Sequence, residues 1–530
     1  MTTLPQQTRR QEDDLVWLGA AEIARRVAAG SVSAAEITAA HIQRIEAVND
    51  RLNAVVVKCY DRARSEAVEI DRRRARGEPL GPLAGVPVTI KECFQVAGTP
   101  ATLGLKRFRH ELSAADSPLV RRLTAAGAIV LGKTNVPQLM VLHETDNPLY
   151  GRTNNPWNLD RSPGGSSGGE AAIVAAGGSV VGLGSDLGGS IRQPAHSVGI
   201  CGLLPTQGRI EMTGRRGNFY GLESLSLQPG PLARTVDDVE IAWRVLADPA
   251  AASHDPRIAP VGTGSPGTVD ASSLRIGIVT DDGFFPAAPA ARRAVEEAGR
   301  CLAAAGAQVQ PFELPDVPEA IRLYFHLITA DGAANLTRTL GSDRPDWRIR
   351  RLLRLGRMRR PARRVVVSLL RAAGHRRLAE LIAASGATST DVYWQRTSER
   401  VETIRRFAMA LDAERLDAIV MPPHALPALR HGSAIDLNPA ASYAFLPNLL
   451  GMPAGVVPAT RVRADEETDR PVTRDLTDRA ARRVELGSAG LPIGVQVLAR
   501  HWREDVVLAV MRVLERHFRS QADFPARPPM

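Results

Sequence analysis

Apolar positions in the N-terminal part of the chain recur every three to four residues. In Ala21-Glu22-Ile23-Ala24-Arg25-Arg26-Val27 and Ile42-Gln43-Arg44-Ile45-Glu46-Ala47-Val48 this spacing places them on one face of a helix. Gly30 followed by Ser31, Ser33 and Glu36 predicts that one helix stops and another begins, so residues 15–75 read as helical. From residue 85 the pattern changes to short apolar runs: Gly85-Val86-Pro87-Val88-Thr89-Ile90, Ala128-Ile129-Val130-Leu131, Ser179-Val180-Val181-Gly182-Leu183, Leu274-Arg275-Ile276-Gly277-Ile278-Val279, Leu416-Asp417-Ala418-Ile419-Val420 and Gly494-Val495-Gln496-Val497-Leu498. These read as buried strands. Helical stretches such as 290–305 lie between them, and the alternation predicts an α/β sandwich around a largely parallel or mixed sheet. No internal repeat is visible. Residues 461–485 are charged and poor in apolar side chains, which predicts an exposed loop, and residues 522–530 read as a frayed tail.

Composition narrows the class. With 530 residues and 44% hydrophobic content a packed core is expected. Met1-Thr2-Thr3-Leu4-Pro5 does not open a secretory signal, and no run of about twenty apolar residues suggests a membrane span. Cys59, Cys93, Cys201 and Cys301 are scattered without metal-ligand spacing. They read as buried thiols of a cytoplasmic protein that uses neither metal nor cofactor. The net charge of +10 is local: residues 348–377, from Arg348 to Arg377, hold twelve arginines and no acid, which leaves the rest of the chain close to neutral.

Candidate chemistry lies in three short motifs. Lys91 ends the apolar run Pro87-Val88-Thr89-Ile90-Lys91. Ser166 lies in Gly164-Gly165-Ser166-Ser167-Gly168-Gly169, and Ser190 in Asp186-Leu187-Gly188-Gly189-Ser190-Ile191-Arg192. Glycines permit close backbone approach, and successive N–H groups can cup a developing oxyanion. The amides of Leu187, Gly188, Gly189 and Ser190 suit that role; the plainer alternative is a tight packing turn. A serine nucleophile needs a base. Lys91 qualifies if burial lowers its pKa, and is otherwise a lysine whose stem lies on the core while its head reaches water. His143 and His196 have no convincing serine partner. Asp186 and Arg192 read as holding the shape of the Ser190 turn.

The stretch from Gly164 through Asp186-Leu187-Gly188-Gly189-Ser190-Ile191-Arg192 to Gly202-Leu203-Leu204-Pro205-Thr206 resembles the amidase signature enzymes. Within that family the chain is most similar to the fatty acid amide hydrolases, through Lys91-Glu92-Cys93-Phe94, Asn147-Pro148-Leu149-Tyr150-Gly151 and Pro453-Ala454-Gly455-Val456-Val457-Pro458. One departure is Leu204, where a basic residue usually precedes Pro-Thr. The resemblance implies a single amidase signature domain: a mixed β-sheet core covered by helices on both faces, with a catalytic core at 80–250 and a helical insertion at 341–400. It implies Ser190 as acylated nucleophile, Ser166 as bridging serine after a cis peptide, and Lys91 as base. Residues Leu187 to Ser190 match the oxyanion loop, and Met140 a position whose backbone lines the substrate site. The expected activity is hydrolysis of lipophilic amides.

The arginine-rich segment is the second informative feature. Ile349, Leu352 and Leu353 recur at helical spacing among arginines; after Pro361, Val365, Val366, Leu369 and Leu370 build a second short apolar face. A basic amphipathic helix pair reads as an element for an anionic membrane surface, and the resemblance implies a cap through which lipids enter. The plainer alternative is a solvated pair with its leucines on the core. The segment has no nucleic-acid docking motif, and a homodimer is a candidate assembly. Two rival functions remain: a glutaminase-type component of an amidotransferase, and a basic membrane- or nucleic-acid-binding protein without catalysis.

Overall fold

The computed structural model describes residues 14–249 and 255–530. Its strands are β1 Val55–Lys58, β2 Pro87–Lys91, β3 Ile129–Thr134, β4 Asp146–Asn147, β5 Gly151–Arg152, β6 Val181–Asp186, β7 Cys201–Leu204, β8 Gln228–Ala233, β9 Arg275–Ile278, β10 Gln308–Pro311, β11 Ala418–Met421, β12 Ala454–Arg461 and β13 Pro492–Ala499. Eleven form one sheet in the order β1-β3-β2-β6-β8-β7-β12-β13-β11-β9-β10, while β4 and β5 pair separately. The sheet is mixed: β2 runs parallel to β3 and β6, whereas β6 is antiparallel to β8. Every residue of β2, β3, β6, β7, β8, β11 and β13 is buried, so both faces of the central sheet are covered by helices, as strands without polar alternation require.

Local chemistry accounts for the elements that the pattern predicted. Gly30 ends the helix Ala20–Ala29 in the left-handed region (φ 72°), and Ser33 and Glu36 form a reciprocal capping box for Ala34–Leu52, satisfying N–H groups that would otherwise lack partners.

Four expectations change. Residues 15–75 are not all helical, because β1 runs antiparallel to β3 at the sheet edge. The expected loop at 461–485 begins as the end of β12 and closes as the helix Leu476–Glu485, capped by Asp475; Ala480, Ala481 and Val484 pack inward, and the buried Glu485 pairs with Arg470 at 2.7 Å. Several charges there pair within the fold, Arg470 with Glu485, Glu466 with Arg293 and Asp478 with Arg377, which hydropathy cannot foresee. The expected frayed end is docked: Phe524 is buried, Arg44 donates to the Met530 carbonyl at 3.1 Å, and Arg527 stacks on Trp17. Finally, Cys59, Cys93 and Cys201 are buried, but Cys301 is partly exposed.

Candidate functional site

Parallel neighbours β2 and β6 bring the first residues together. Their register pairs Ile90 with Leu183, so Lys91 at the end of β2 lies beside the end of β6. Such carboxyl ends are where open α/β sheets build their sites. The chain leaves β6 through Leu187, Gly188, Gly189 and Ser190 and enters the helix Arg192–Val198.

The Lys91 ammonium group is fully buried. Nζ lies 2.8 Å from Ser166 Oγ, 2.8 Å from Ser167 Oγ, 3.0 Å from Ser185 Oγ and 3.1 Å from the Ser185 carbonyl. Burial among neutral oxygens pulls its pKa down to about 8, because the charged form is the one that desolvation disfavours. Ser166 and Ser167 precede the helix Gly168–Ala175, and the Gly165–Ser166 peptide is cis. The Ser167 N–H donates to the Ser190 carbonyl at 3.1 Å, which ties the two serine-bearing turns together.

The Ser190 turn is fixed from below by Asp186. Its Oδ1 accepts from the Gly189 N–H at 2.7 Å and its Oδ2 from the Ile191 N–H at 3.0 Å, while the Arg192 side chain donates to both oxygens at 3.1 Å. Burial alone would raise the Asp186 pKa, but Arg192 and these N–H groups outweigh it and hold the carboxyl below its usual range. Arg192 continues to Gln496 Oε1 at 2.6 Å and Asn448 Oδ1 at 2.6 Å. Two glycines leave room for this arrangement. Gly189 has φ +102°, and a side chain on Gly188 would strike the Tyr324 hydroxyl at 2.4 Å. The Gly189 N–H is therefore committed to Asp186, whereas the sequence offered all four amides of the turn as equal donors.

Above Ser190 opens a cleft of about 1360 Å³, counting its open mouth, lined by Met140, Leu142, His143, Tyr324, Phe325 and Phe445 near the turn and by Leu336, Leu352, Leu355 and Leu381 farther out. Met140, in this lining, has a left-handed φ of +54°. An Arg351–Asp436 pair, 2.5 Å apart, lies in the same lining. His143 faces the turn and meets the Gly188 carbonyl at 2.8 Å; burial lowers its pKa to about 4, which keeps the ring neutral. His196 instead meets the Leu426 carbonyl and accepts from the Gly494 N–H, away from the serines.

The arginine-rich segment divides in two. The helix Trp347–Gly356 is anchored: Arg348, expected at the surface, is buried between Glu144 (2.7 Å), Asp146 (2.6 Å) and Asp346 (3.0 Å), and Leu353 packs in a core with Leu105, Phe108 and Ile349. Arg377 pairs with Asp478. The acids missing from the segment come from Asp346 just before it and from distant parts of the chain. The helix Arg360–Ala372 instead leaves Val365 and Leu369 at 60% and 65% exposure, with Arg359, Arg360, Arg364 and Arg371 exposed around them.

Sequence reasoning missed Ser167 and Ser185, which complete the shell around Lys91, although their positions beside Ser166 and Asp186 were a signal. It also missed Glu170, fully buried between the hydroxyls of Thr89 (2.5 Å) and Thr134 (2.7 Å), whose pKa burial raises to about 8. The cleft walls at Tyr324, Phe325 and Phe445 had no local signal.

A family profile described as Amidase matches residues 36–508. The chain is 34% identical to fatty-acid amide hydrolase 1 of Sus scrofa over 501 residues, covering 93% of this chain and 85% of that protein. It is also 34% identical to the A-type component of glutamyl-tRNA(Gln) amidotransferase from Acidothermus cellulolyticus over 530 residues, covering 96% of each. Among solved structures a fatty acid amide hydrolase superposes with a TM-score of 0.82 at 25% identity, over 95% of this chain and 85% of that one.

Proposed function

The chain belongs to the amidase signature family, whose members hydrolyse amide carbon–nitrogen bonds, and on that premise we propose that it cleaves lipophilic amides through an acyl-enzyme on Ser190. The observation that carries this reading is the Lys91 shell: three hydroxyls and one carbonyl within 3.1 Å of a buried amine, beside a serine that opens on an apolar cleft. A neutral lysine has two hydrogens for the Ser167 and Ser185 oxygens and a lone pair for the Ser166 hydroxyl.

Lys91 takes the Ser166 proton as Ser166 takes that of Ser190, and Ser190 Oγ adds to the amide carbonyl carbon. The oxyanion is received by N–H groups of Leu187, Gly188 and Ser190. Removing one such donor typically costs about a hundredfold in rate. Collapse of the intermediate breaks the C–N bond; Ser166 hands its proton to the leaving nitrogen and recovers one from Lys91. Water then adds to the acyl carbon and gives its proton along the same route; the ester C–O bond breaks, Ser190 regains its proton through Ser166 from Lys91, and the carboxylic acid leaves.

The acyl chain occupies the cleft between Met140 and Leu381. This lining supports a lipid amide over free glutamine, although the amidotransferase component is equally similar in sequence. The exposed Val365 and Leu369 with their arginines support docking of the helix Arg360–Ala372 on an anionic membrane surface, which fits a protein with no helix, among the described residues, long and apolar enough to cross a bilayer.

The reading is tested on Ser190→Ala. The variant should keep the circular dichroism spectrum of the parent, lose hydrolysis of long-chain amides and lose labelling by a fluorophosphonate probe. Persistent labelling would place the nucleophile elsewhere.

A further inference from the structure

A second cleft adjoins the first. Its walls include Arg215, Asn218, Tyr220, Ser226 and the pair Arg257–Glu223, 3.9 Å apart, and it shares Leu187 and Phe219 with the apolar cleft. The two clefts therefore meet at the turn that carries Ser190. An amide whose carbonyl carbon lies at Ser190 sends its acyl and amine halves in different directions. With the acyl half in the apolar cleft, the second cleft is left for the amine.

Arg215 gives this second cleft its chemistry. Its backbone is held beside the segment that follows Lys91: Phe94 and Arg215 form a bridge, Gln95 donates to the Gly214 carbonyl at 2.9 Å, and Arg216 donates to the Cys93 carbonyl at 2.9 Å. Neighbouring arginines are neutralised, Arg209 by Glu504 at 2.9 Å, Arg216 by Glu111 at 2.7 Å and Arg257 by Asp255 at 2.7 Å. Arg215 is different. Its Nε and Nη1 are shielded from solvent and have no hydrogen-bonding partner among the described residues. A guanidinium desolvated in this way is costly unless an anion meets it, and either of these nitrogens forms, with Nη2, a planar fork that matches a carboxylate in two parallel hydrogen bonds.

Resting on the amidase reading above, we propose that the second cleft is a leaving-amine subsite in which Arg215 binds a carboxylate, so that the substrates include N-acyl amino acids. Hydrolysis consumes one water: the C–N bond breaks, the acyl carbon leaves as a fatty carboxylate, and the nitrogen leaves as the ammonium of an amino acid whose own carboxylate never reacts.

Steady-state kinetics on N-lauroylglycine and N-lauroylethanolamine test this, since the two share acyl chain and amide and differ in the anion. The wild type should favour the glycine conjugate by about tenfold or more in kcat/KM, a charge-assisted bidentate contact being worth at least that. Arg215→Gln should collapse the ratio toward one through KM, and Arg215→Lys should keep part of it. The same comparison on N-acetylglycine and N-acetylethanolamine separates this inference from the lipid reading. A carboxylate preference confined to the acetyl pair, with neither lauroyl amide hydrolysed, would support the Arg215 site and count against lipophilic substrates. Hydrolysis of both lauroyl amides at equal efficiency by the wild type, or an equal loss on both in Arg215→Gln, would overturn the anion site and leave the lipid reading standing.

Discussion

At the residue scale the proposed mechanism turns on Lys91. It must be neutral to accept a proton, and its pKa of about 8 sets the pH at which half the molecules are ready. Turnover should rise with pH, gaining close to tenfold per unit well below that value and levelling above it. Lys91→Ala should lose about a hundredfold or more across the whole range. A pH–rate profile of parent and variant checks both, and near-normal turnover in the variant would remove Lys91 from the mechanism. Ser166 and Ser190 could be picked out as candidates from the sequence because each lies in a short motif whose glycines have a local steric reason, and Lys91 because it ends an apolar run. The Asp186 to Gln496 chain through Arg192 could not: it joins residues about three hundred positions apart, and no periodicity announces such a contact.

At the level of elements, the strands that the pattern missed show why it missed them. In β8, Pro229 and Pro231 argue against a central strand, yet they occupy the part that pairs only with β6, since β7 reaches just Leu232 and Ala233. The charge run at residues 348–377 misled for a different reason. Its local sequence contains no acid, but the fold supplies Glu144, Asp146 and Asp436 from elsewhere. Arg348 is the clearest case, with its side chain 8% exposed and Glu144 beneath it 2% exposed. The Nε–Oε1 approach at 2.7 Å is off hydrogen-bonding alignment, so it acts as an ion pair. Arg348→Gln would strand a buried carboxylate next to His143 and should destabilise the protein by about 3 kcal/mol or more. Urea denaturation checks this; a midpoint unchanged from the parent would mean that the helix Trp347–Gly356 is held by its apolar face alone.

For the whole molecule, the helix Arg360–Ala372 and the apolar cleft belong to one continuous region, since Leu352, Leu355 and Leu378 line the cleft on either side of that helix in sequence. Replacing Arg359, Arg360, Arg364 and Arg371 by glutamine should weaken sedimentation with phosphatidylserine vesicles, each arginine contributing up to about 1 kcal/mol near such a surface before screening. The apparent KM for long-chain amides should rise while short soluble amides are hydrolysed as before. Equal vesicle binding with unchanged long-chain kinetics would leave the helix as a solvated cap.

The burial of Lys91 together with Glu170 also shapes how the fold withstands pH. Glu170 titrates near 8 when folded rather than near 4.5, so its environment increasingly favours the unfolded chain as pH rises from about 4.5 to 8. Lys91 titrates near 8 rather than 10.5, so its environment does the same as pH falls from about 10.5 to 8. The two effects overlap most fully near pH 8. The acidity at which the amine becomes ready to take a proton is thus the one at which its surroundings lend the native state least support.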